Sequence, residues 1–332
     1  MKKIIVTGGA GYIGSHTVVE LINNGFEPII IDNLCNSSIN NIKGIESITN
    51  KKIKWHNINC TNMQLMNDVF EKEGPIDGVI HFAAYKSIEE SVKNPEKYYE
   101  NNIGSLKILL QNMEKHNVDN IIFSSSCTVY GMPENLPVRE NSEFKKAESP
   151  YSETKQICEL MLDKNRSNSI SLRYFNPIGS HPSSLIGDCS NDKATNLIPI
   201  ITEVAIGKRN EVIIFGNDYD THDGTCIRDY LHVEDLSKAH VNAINFLIKK
   251  GGKYAFNVGS GDGVSVMQAI KIFEKSNNMK VNYSIGERRK GDISKIFADS
   301  TLIEKTIGWK TKKTLDEAMI SSWNWEKAKI NR

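Results

Sequence analysis

The octapeptide Thr7-Gly8-Gly9-Ala10-Gly11-Tyr12-Ile13-Gly14 lies between a short apolar run, Ile4-Ile5-Val6, and an amphipathic stretch from Ser15 to Asn24 that Gly25 closes. A strand that turns on glycines straight into a helix is the opening of a βαβ unit. The glycines allow a tight turn and close approach of backbone to a phosphate. The helix N-terminus then presents N–H groups and a partial positive charge to a pyrophosphate. The spacing Gly8-x-x-Gly11-x-x-Gly14, taken alone, also fits a merely flexible turn. The context decides. A second apolar run, Pro28-Ile29-Ile30-Ile31, ends in Asp32-Asn33, eighteen positions past Gly14. An acid there bonds the adenosine ribose hydroxyls of a dinucleotide. It also repels a 2′-phosphate, and no Arg stands beside it, so the expected cofactor is NAD and not NADP.

The rest of the first half keeps this rhythm. Further strands are expected at Lys52–Ile58, Ile76–Phe82, Asn120–Ser124 and Ser169–Phe175, with helices at Met63–Glu73, Pro95–Lys115 and Tyr151–Asn165. Alternation at this spacing, with strands that are continuous apolar runs, implies an α/β fold: a Rossmann-type doubly wound parallel sheet covered on both faces. After about residue 176 the pattern loosens. Loops rich in Gly, Ser, Asp and Asn occur at 179–195, 216–225 and 257–263. Helices are expected at Leu197–Ile206, Glu234–Lys249, Val264–Lys275 and Leu315–Lys327. The last opens on a capping-box pair, Thr314 and Glu317. The division expected is a dinucleotide domain over 1–176 and a smaller α/β substrate domain over 177–332. Some exchange of chain between the two is expected, with a ligand cleft at the carboxyl ends of the strands.

Composition removes other classes. Of 332 residues, 41 are Lys or Arg and 40 are Asp or Glu, a formal charge of +1. That gives no electrostatic basis for binding nucleic acid or a membrane surface. No apolar run approaches the roughly 18 residues of a membrane span. Met1-Lys2-Lys3 is followed by glycines where a secretory signal needs an apolar core. Six scattered cysteines contain no Cys-x-x-Cys pair. No metal site and no disulfide framework are expected, and a reducing, cytoplasmic setting is.

Tyr151-Ser152-Glu153-Thr154-Lys155 begins a helix after Pro150, and four-residue spacing sets Tyr151 and Lys155 on one face. A tyrosine near its free pKa of about 10 is a poor base at neutral pH. A neighbouring ammonium and an oxidised nicotinamide are expected to lower that value and make Tyr151 a base for a hydroxyl proton. Ser124-Ser125-Ser126 ends a strand at the same sheet edge. By contrast His81, before Phe82, reads as a structural histidine.

With these residues in view, the chain resembles the extended short-chain dehydrogenase/reductase superfamily, and within it the epimerases of sugar nucleotides. The likeness runs nearly full length, through Gly11-Tyr12-Ile13-Gly14-Ser15-His16-Thr17, Asp32-Asn33-Leu34-Cys35-Asn36-Ser37, His81-Phe82-Ala83-Ala84-Tyr85-Lys86 and Phe123-Ser124-Ser125-Ser126-Cys127-Thr128-Val129-Tyr130-Gly131. It continues in Leu172-Arg173-Tyr174-Phe175-Asn176-Pro177, Ile214-Phe215-Gly216-Asn217-Asp218-Tyr219, Arg228-Asp229-Tyr230-Leu231-His232-Val233 and Arg288-Arg289-Lys290-Gly291-Asp292. The resemblance implies a retained NAD that is regenerated in each turnover, and interconversion of UDP-glucose and UDP-galactose by oxidation at C4, rotation of the keto sugar and re-reduction. It implies Tyr151 as base, Lys155 on the nicotinamide ribose and Ser126 on the reacting oxygen. Gly8, Gly11, Tyr12, Ile13, Gly14, Asp32, Asn33, Leu34, Cys35, Asn36, Ser37, Asn59, Cys60, Phe82, Ala83, Ala84, Lys86, Asn101 and Phe175 would contact the cofactor together with Tyr151 and Lys155. Asn176, Asn196, Leu197, Phe215, Arg228, Tyr230, Arg289, Asp292 and Ile296, with Lys86, Ser126 and Tyr151, would contact the UDP-sugar. A homodimer through Pro95–Lys115 and Tyr151–Asn165 is also implied.

Three positions depart from the family pattern. Asn59 replaces an Asp that accepts from the adenine amine; its oxygen still accepts, so weaker retention of NAD is expected. Cys127 replaces a smaller residue. Ile296 replaces the Tyr or Cys that borders the sugar 2-position, which opens UDP-GlcNAc and UDP-GalNAc as a second substrate pair. Thr128 is followed by Val129-Tyr130 and not by an Asp-Glu pair, which argues against a dehydratase. A keto-sugar reductase using NADPH would want a cation near Asp32. Epimerisation of a UDP-uronate stays open, as does a non-catalytic NAD-binding protein, although such a protein has no need of both Tyr151 and Lys155.

Overall fold

The computed structural model describes residues 1–189, 194–289 and 291–330. Part of the 179–195 loop and Lys290 of the basic run therefore lie outside the described residues. The strands are β1 (Lys3–Thr7), β2 (Glu27–Ile31), β3 (Lys54–His56), β4 (Gly78–His81), β5 (Asn120–Ser126), β6 (Asn168–Tyr174), β7 (Asn176–Ile178), β8 (Val212–Phe215), β9 (Ile227–His232), β10 (Lys253–Val258), β11 (Gly263–Ser265), β12 (Tyr283–Gly286) and β13 (Lys295–Ile296). The α-helices are α1 (Tyr12–Asn23), α2 (Ile39–Thr49), α3 (Met63–Glu73), α4 (Ile88–Lys93), α5 (Pro95–Tyr98), α6 (Gly104–Lys115), α7 (Pro150–Lys164), α8 (Leu197–Ala205), α9 (Val233–Lys250), α10 (Val266–Asn277), α11 (Thr301–Ile307) and α12 (Leu315–Lys329).

Seven strands form one sheet in the order β10-β6-β5-β4-β1-β2-β3, every pairing parallel. The isoleucine runs of β1 and β2 explain why it is covered twice: Ile4, Ile5, Ile29, Ile30 and Ile31 are fully buried, and in a strand successive side chains face opposite layers. One layer packs α1, α2, α9 and α11 against Ile4, Val6 and Ile30. The other packs α3, α6 and α7 against Ile5, Ile29 and Ile31. The chain leaves β1 towards β2 and later returns on its other side at β4. That reversal opens the crevice at the carboxyl ends of β1 and β4, where ligands bind in such sheets.

A smaller body holds β9 with β7, β11 and β13, the parallel pair β8–β12, and α8, α10 and α12 around a separate core that includes Ile201, Ile214, Tyr230, Phe273 and Met319. Three elements from beyond residue 177 belong to the large layer: β10 pairs with β6, α9 packs on α1 and the sheet, and α11 packs on β10 and α9.

The local signals are largely met, with three corrections. Helix α2 fills a stretch read without structure; Ser38 caps it by accepting from the Asn40 N–H at 3.1 Å. The span Pro95–Lys115 is not one regular helix. It breaks after α5 into a π-turn over Tyr99–Ile103 before α6 resumes. Helix α10 starts at Val266 because Gly263–Ser265 pairs with β9 as β11, and Ser265 with Gln268 then forms a capping box. The Thr314–Glu317 box of α12 is present.

Candidate active site

The glycine turn is shaped by contact. Gly8 has φ +70°, and a Cβ there would lie 2.8 Å from the Ala83 nitrogen. A Cβ on Gly14 would lie 2.2 Å from the Gly8 carbonyl oxygen, so the first turn of α1 packs on the loop with no room for a side chain. Gly11 is the N-cap of α1 and offers no side-chain cap, and no acid occupies the first turn. The helix end is left open to an anion. Asp32, buried at the end of β2, is held at both oxygens. Oδ2 accepts from the Ala10 N–H at 3.0 Å; Oδ1 accepts from the Leu34 N–H at 2.9 Å and the Ser37 hydroxyl at 2.8 Å. Leu34 turns the loop with φ +56°, and the Cys35 N–H donates to Asn33 Oδ1 at 3.2 Å. The fixed acid and the open cradle fit an adenosine diphosphate.

Phe82 and Ala83 pass against Gly8, and Phe82 rests on the His240 ring at 4.7 Å. A cavity of about 770 Å³ is lined by Asn59, Tyr85, Lys97 and Asn101 among others. Asn59 Oδ1 is already engaged, accepting from the Thr61 N–H at 3.0 Å. Beside it Cys60 is buried, and burial pushes its thiol up to about 12. Tyr12 donates its hydroxyl to the Gly179 carbonyl at 2.6 Å, and Lys86 pairs with Asp188 at 3.7 Å. Both contacts tie the cofactor side to the 179–189 segment. Ile13 packs against the layer that contains α1.

The three serines of β5 separate by register. The Ser124 carbonyl accepts from Lys155 Nζ at 2.6 Å, and its hydroxyl bonds the Tyr174 hydroxyl. The Ser125 hydroxyl donates to Glu159. Ser126 Oγ accepts from the Thr128 N–H at 3.2 Å and hydrogen-bonds Tyr151. Lys155 Nζ lies 4.8 Å from the Phe123 ring centroid and 5.8 Å from that of Tyr151. Burial lowers the Lys155 pKa to about 8, against a smaller opposing pull from Cys158 and Glu159. Sequence reading expects the ammonium and an oxidised nicotinamide together to lower the Tyr151 pKa; in the chain alone Lys155 does not lower it. Burial dominates and raises Tyr151 to about 12, opposed by its Ser126 hydrogen bond, so the phenol keeps its proton until another positive charge arrives. His81 is structural: it shares a 2.7 Å hydrogen bond with Thr7, and burial, aided by the charge of Lys155, lowers it to about 3.

The second cluster lies on the smaller body. Arg289 Nε meets Asp292 Oδ2 at 3.1 Å while its guanidinium covers the Phe215 ring at 4.5 Å. Arg228 reaches the same Asp292 at 3.8 Å and donates to the Ile293 carbonyl at 2.6 Å. Arg228 does not pair with its neighbour Asp229, which points to the other face of β9 and accepts from the Ser260, Gly261 and Ala298 N–H groups. Asn176 lies opposite Tyr230 across β7–β9, and Asn196 stands at the N-cap position of α8 without a side-chain cap hydrogen bond; the first residue of that helix, Leu197, packs against the core that holds Tyr230. Phe175, Cys127 and Ile296 share one buried cluster, in which Cys127 adjoins Ser126 and Ile296 is the register partner of Arg228.

Sequence reading passed over Asn102. In the π-turn it accepts from the Tyr85 N–H at 2.9 Å and donates to the Tyr85 carbonyl at 3.1 Å and to Thr154 at 3.2 Å, joining the 83–86 loop to α7. An Asn-Asn pair inside an otherwise regular helical stretch was the available signal. It also missed the buried pair of Glu159 and Arg173, 2.6 Å apart.

A profile of the NAD dependent epimerase/dehydratase family matches residues 4–259. The chain belongs to that family. It is 46% identical to a UDP-glucose 4-epimerase of Dictyostelium discoideum, over 99% of this chain and 97% of that one. It is 44% identical to a UDP-glucose 4-epimerase of Haemophilus influenzae, over 98% and 97%. Among solved structures, a UDP-glucose 4-epimerase from Stenotrophomonas maltophila with bound NAD and formylated UDP-arabinopyranose matches with TM-score 0.97 at 39% identity, covering 100% of this chain and 99% of that one. One from Bifidobacterium longum in complex with NAD+ and UDP matches with TM-score 0.95 at 43% identity, covering 99% of each. The superfamily resemblance, the doubly wound fold and the NAD-using epimerase class are borne out at the level of this family.

Proposed function

We propose that this family member interconverts UDP-glucose and UDP-galactose. The reading is carried by one observation: Ser126 at the end of β5 bonds Tyr151, Lys155 is fixed on Ser124, and Cys127 next to Ser126 shares a buried cluster with Phe175 and with Ile296, the register partner of Arg228. The names of the relatives support it. NAD, when bound, supplies a hydride acceptor at C4 of the sugar and, through its oxidised ring, the positive charge that Tyr151 lacks. Tyr151 then takes the 4-hydroxyl proton, and Ser126 hydrogen-bonds the same oxygen. Lys155, a donor fixed on the Ser124 carbonyl, holds the cofactor ribose and stabilises the phenolate. Arg228 and Arg289 exchange Asp292 for a diphosphate, which freely accepts such forks, and Asp292 turns to the uridine ribose. A firm grip on UDP beside an apolar pocket leaves the keto sugar free to present its other face.

Ile296, smaller than Tyr, leaves space at the sugar 2-position and supports acceptance of UDP-GalNAc as well. For assembly, we read Leu160 on α7 and Val92 on the adjoining α4, both more than half exposed, as the apolar face of a homodimer; sedimentation of Leu160→Glu tests it. Among the described residues no helix is long and apolar enough to cross a membrane.

The deciding experiment is NMR of purified protein with UDP-galactose and no added NAD. Appearance of UDP-glucose supports both the chemistry and a retained cofactor. Absence of product even with added NAD rejects the assignment, and UDP-GalNAc and UDP-uronates are then tried.

A further inference from the structure

Tyr151, Lys155 and Glu159 recur every fourth residue on α7 and so form one stripe. That stripe faces the end of β5: Tyr151 bonds Ser126, Lys155 bonds the Ser124 carbonyl, and Glu159 accepts from Ser125. Sheet pairing sets Arg173 of β6 beside Ser125. Its guanidinium grips Glu159 at both oxygens, Nε at 3.0 and 3.1 Å and Nη2 at 2.6 Å. Its remaining arm donates to the Tyr130 hydroxyl and the Glu140 carbonyl, both at 3.0 Å, and Tyr130 in turn donates to Asn257 of β10 at 2.6 Å. Glu159 and Arg173 are each more than nine-tenths buried, and neither has a part in the chemistry proposed above. A buried ion pair is a weak source of stability, because desolvation offsets its attraction.

We propose that Glu159 is a positioning residue, whose carboxylate, locked by Arg173 and Ser125, keeps the Lys155 ammonium charged beside Tyr151. The groups around Lys155 leave this task to Glu159. On its own helix, burial pushes the Tyr151 phenol and the Cys158 thiol each up to about 12, so both are neutral over the working pH range, and the pull that Cys158 adds exists only once its thiol is ionised. His81 from β4 is neutral, and β5 offers the Phe123 ring and the Ser124 carbonyl. Arg173 on β6 is positive and sits behind Glu159. Burial draws the Lys155 pKa down, and Glu159 resists that fall. Without its charge, Lys155 loses its proton within the working pH range and the lysine–tyrosine pair fails.

The inference rests on the epimerase reading only in its kinetic arm. In protein labelled with ¹³C at lysine Cε, the Lys155 resonance is identified by its loss in Lys155→Met, and its titration midpoint is expected at about 8. In Glu159→Gln the midpoint should fall by about one pH unit, the effect of removing one nearby opposite charge. The alkaline limb of kcat should fall with it while KM holds, and Glu159→Asp should restore both. Should Glu159→Gln fail to fold, the double variant Glu159→Leu, Arg173→Leu carries the test, since an apolar replacement of a buried pair generally preserves folding. An unchanged midpoint in a folded variant overturns the proposal. A lowered midpoint in a protein without epimerase activity upholds it and overturns the functional reading instead.

Discussion

Replacing Gly14 by Ala isolates the contact that shapes the cofactor cradle. The new Cβ would stand 2.2 Å from the Gly8 carbonyl oxygen, 2.8 Å from Gly9 Cα and 3.0 Å from the Gly8 carbonyl carbon. All three are backbone atoms, so no side chain can rotate away. Gly8 is anchored by its N–H to the Ile31 carbonyl at 2.8 Å, and its own carbonyl accepts from the Gly11 N–H at 3.1 Å. The turn must therefore open by about 1 Å to restore ordinary contact, with an overpacking cost of roughly 1–3 kcal/mol. Alanine recovers about 1 kcal/mol of that through helix propensity, so the net loss of stability is about 0–2 kcal/mol. The larger effect is on binding. Withdrawing one N–H from the pyrophosphate costs about 1.5–3 kcal/mol, which is roughly a 10- to 150-fold weaker Kd for NAD. Gly104→Ala is the control: it is a helical glycine with φ −61° and ψ −43°, and a Cβ there meets nothing within 4 Å. It should stabilise the protein by about 0.5–1 kcal/mol and leave NAD binding unchanged. Calorimetric titration with NAD and urea unfolding of both variants read these quantities. If Gly14→Ala binds NAD within twofold of the parent, the steric account of the turn is refuted.

Three further outcomes are expected. Tyr151→Phe should keep NAD binding, measured by calorimetry, and lose about 10²–10⁴ in kcat, the usual worth of a positioned acid–base group. Asn59→Asp supplies a charged acceptor in place of an amide already used by Thr61, so NAD should dissociate several-fold more slowly during gel filtration; unchanged retention removes Asn59 from the cofactor site. Acid should unfold the chain early. His16 and His81 are lowered to about 3, and His232 and His240 to about 4, all chiefly by burial. Below the unfolded pKa of about 6.5 the unfolded state takes up protons that the native histidines refuse. Each site then removes up to about 1.4 kcal/mol of stability per pH unit as the pH falls towards its folded value, and none above pH 6.5. Urea midpoints between pH 7 and 4.5 measure that slope, and His240→Gln should flatten it.

The parts of this fold that read directly from the sequence are those whose causes are local. Met63–Glu73 is a helix because Asn62 caps it and its apolar residues recur on one side. Thr314 and Glu317 close their box within one turn. The glycine turn and Asp32 stand out because few residue types satisfy such geometry. What stayed hidden depends on partners far along the chain. Ser124, Ser125 and Ser126 look alike in sequence; only the register with α7 and β6 gives the first to Lys155, the second to Glu159 and the third to Tyr151. Asn102 breaks its helix for the sake of Tyr85 and Thr154, which the helical periodicity of 95–115 does not reveal. The rise of the Tyr151 pKa in the chain alone was hidden for the same reason: a four-residue spacing shows that Lys155 is near, whereas the burial that outweighs it comes from the packed fold.

The pairing of β10 with β6 carries a consequence for how the protein is made. Residues 168–174 emerge from the ribosome well before 253–258, which complete their hydrogen bonds through six registered pairs from Lys253–Ser169 to Val258–Tyr174. At ~5–20 residues per second the interval is several seconds. Throughout it β6 is an open edge carrying Ile170 and Leu172, and the face of β4, β5 and β6 that α9 covers is bare. A nascent chain in that condition is a template for strand addition by its neighbours. Chaperone demand should therefore peak while residues 177–250 are being synthesised and vanish once Val258 has cleared the exit tunnel.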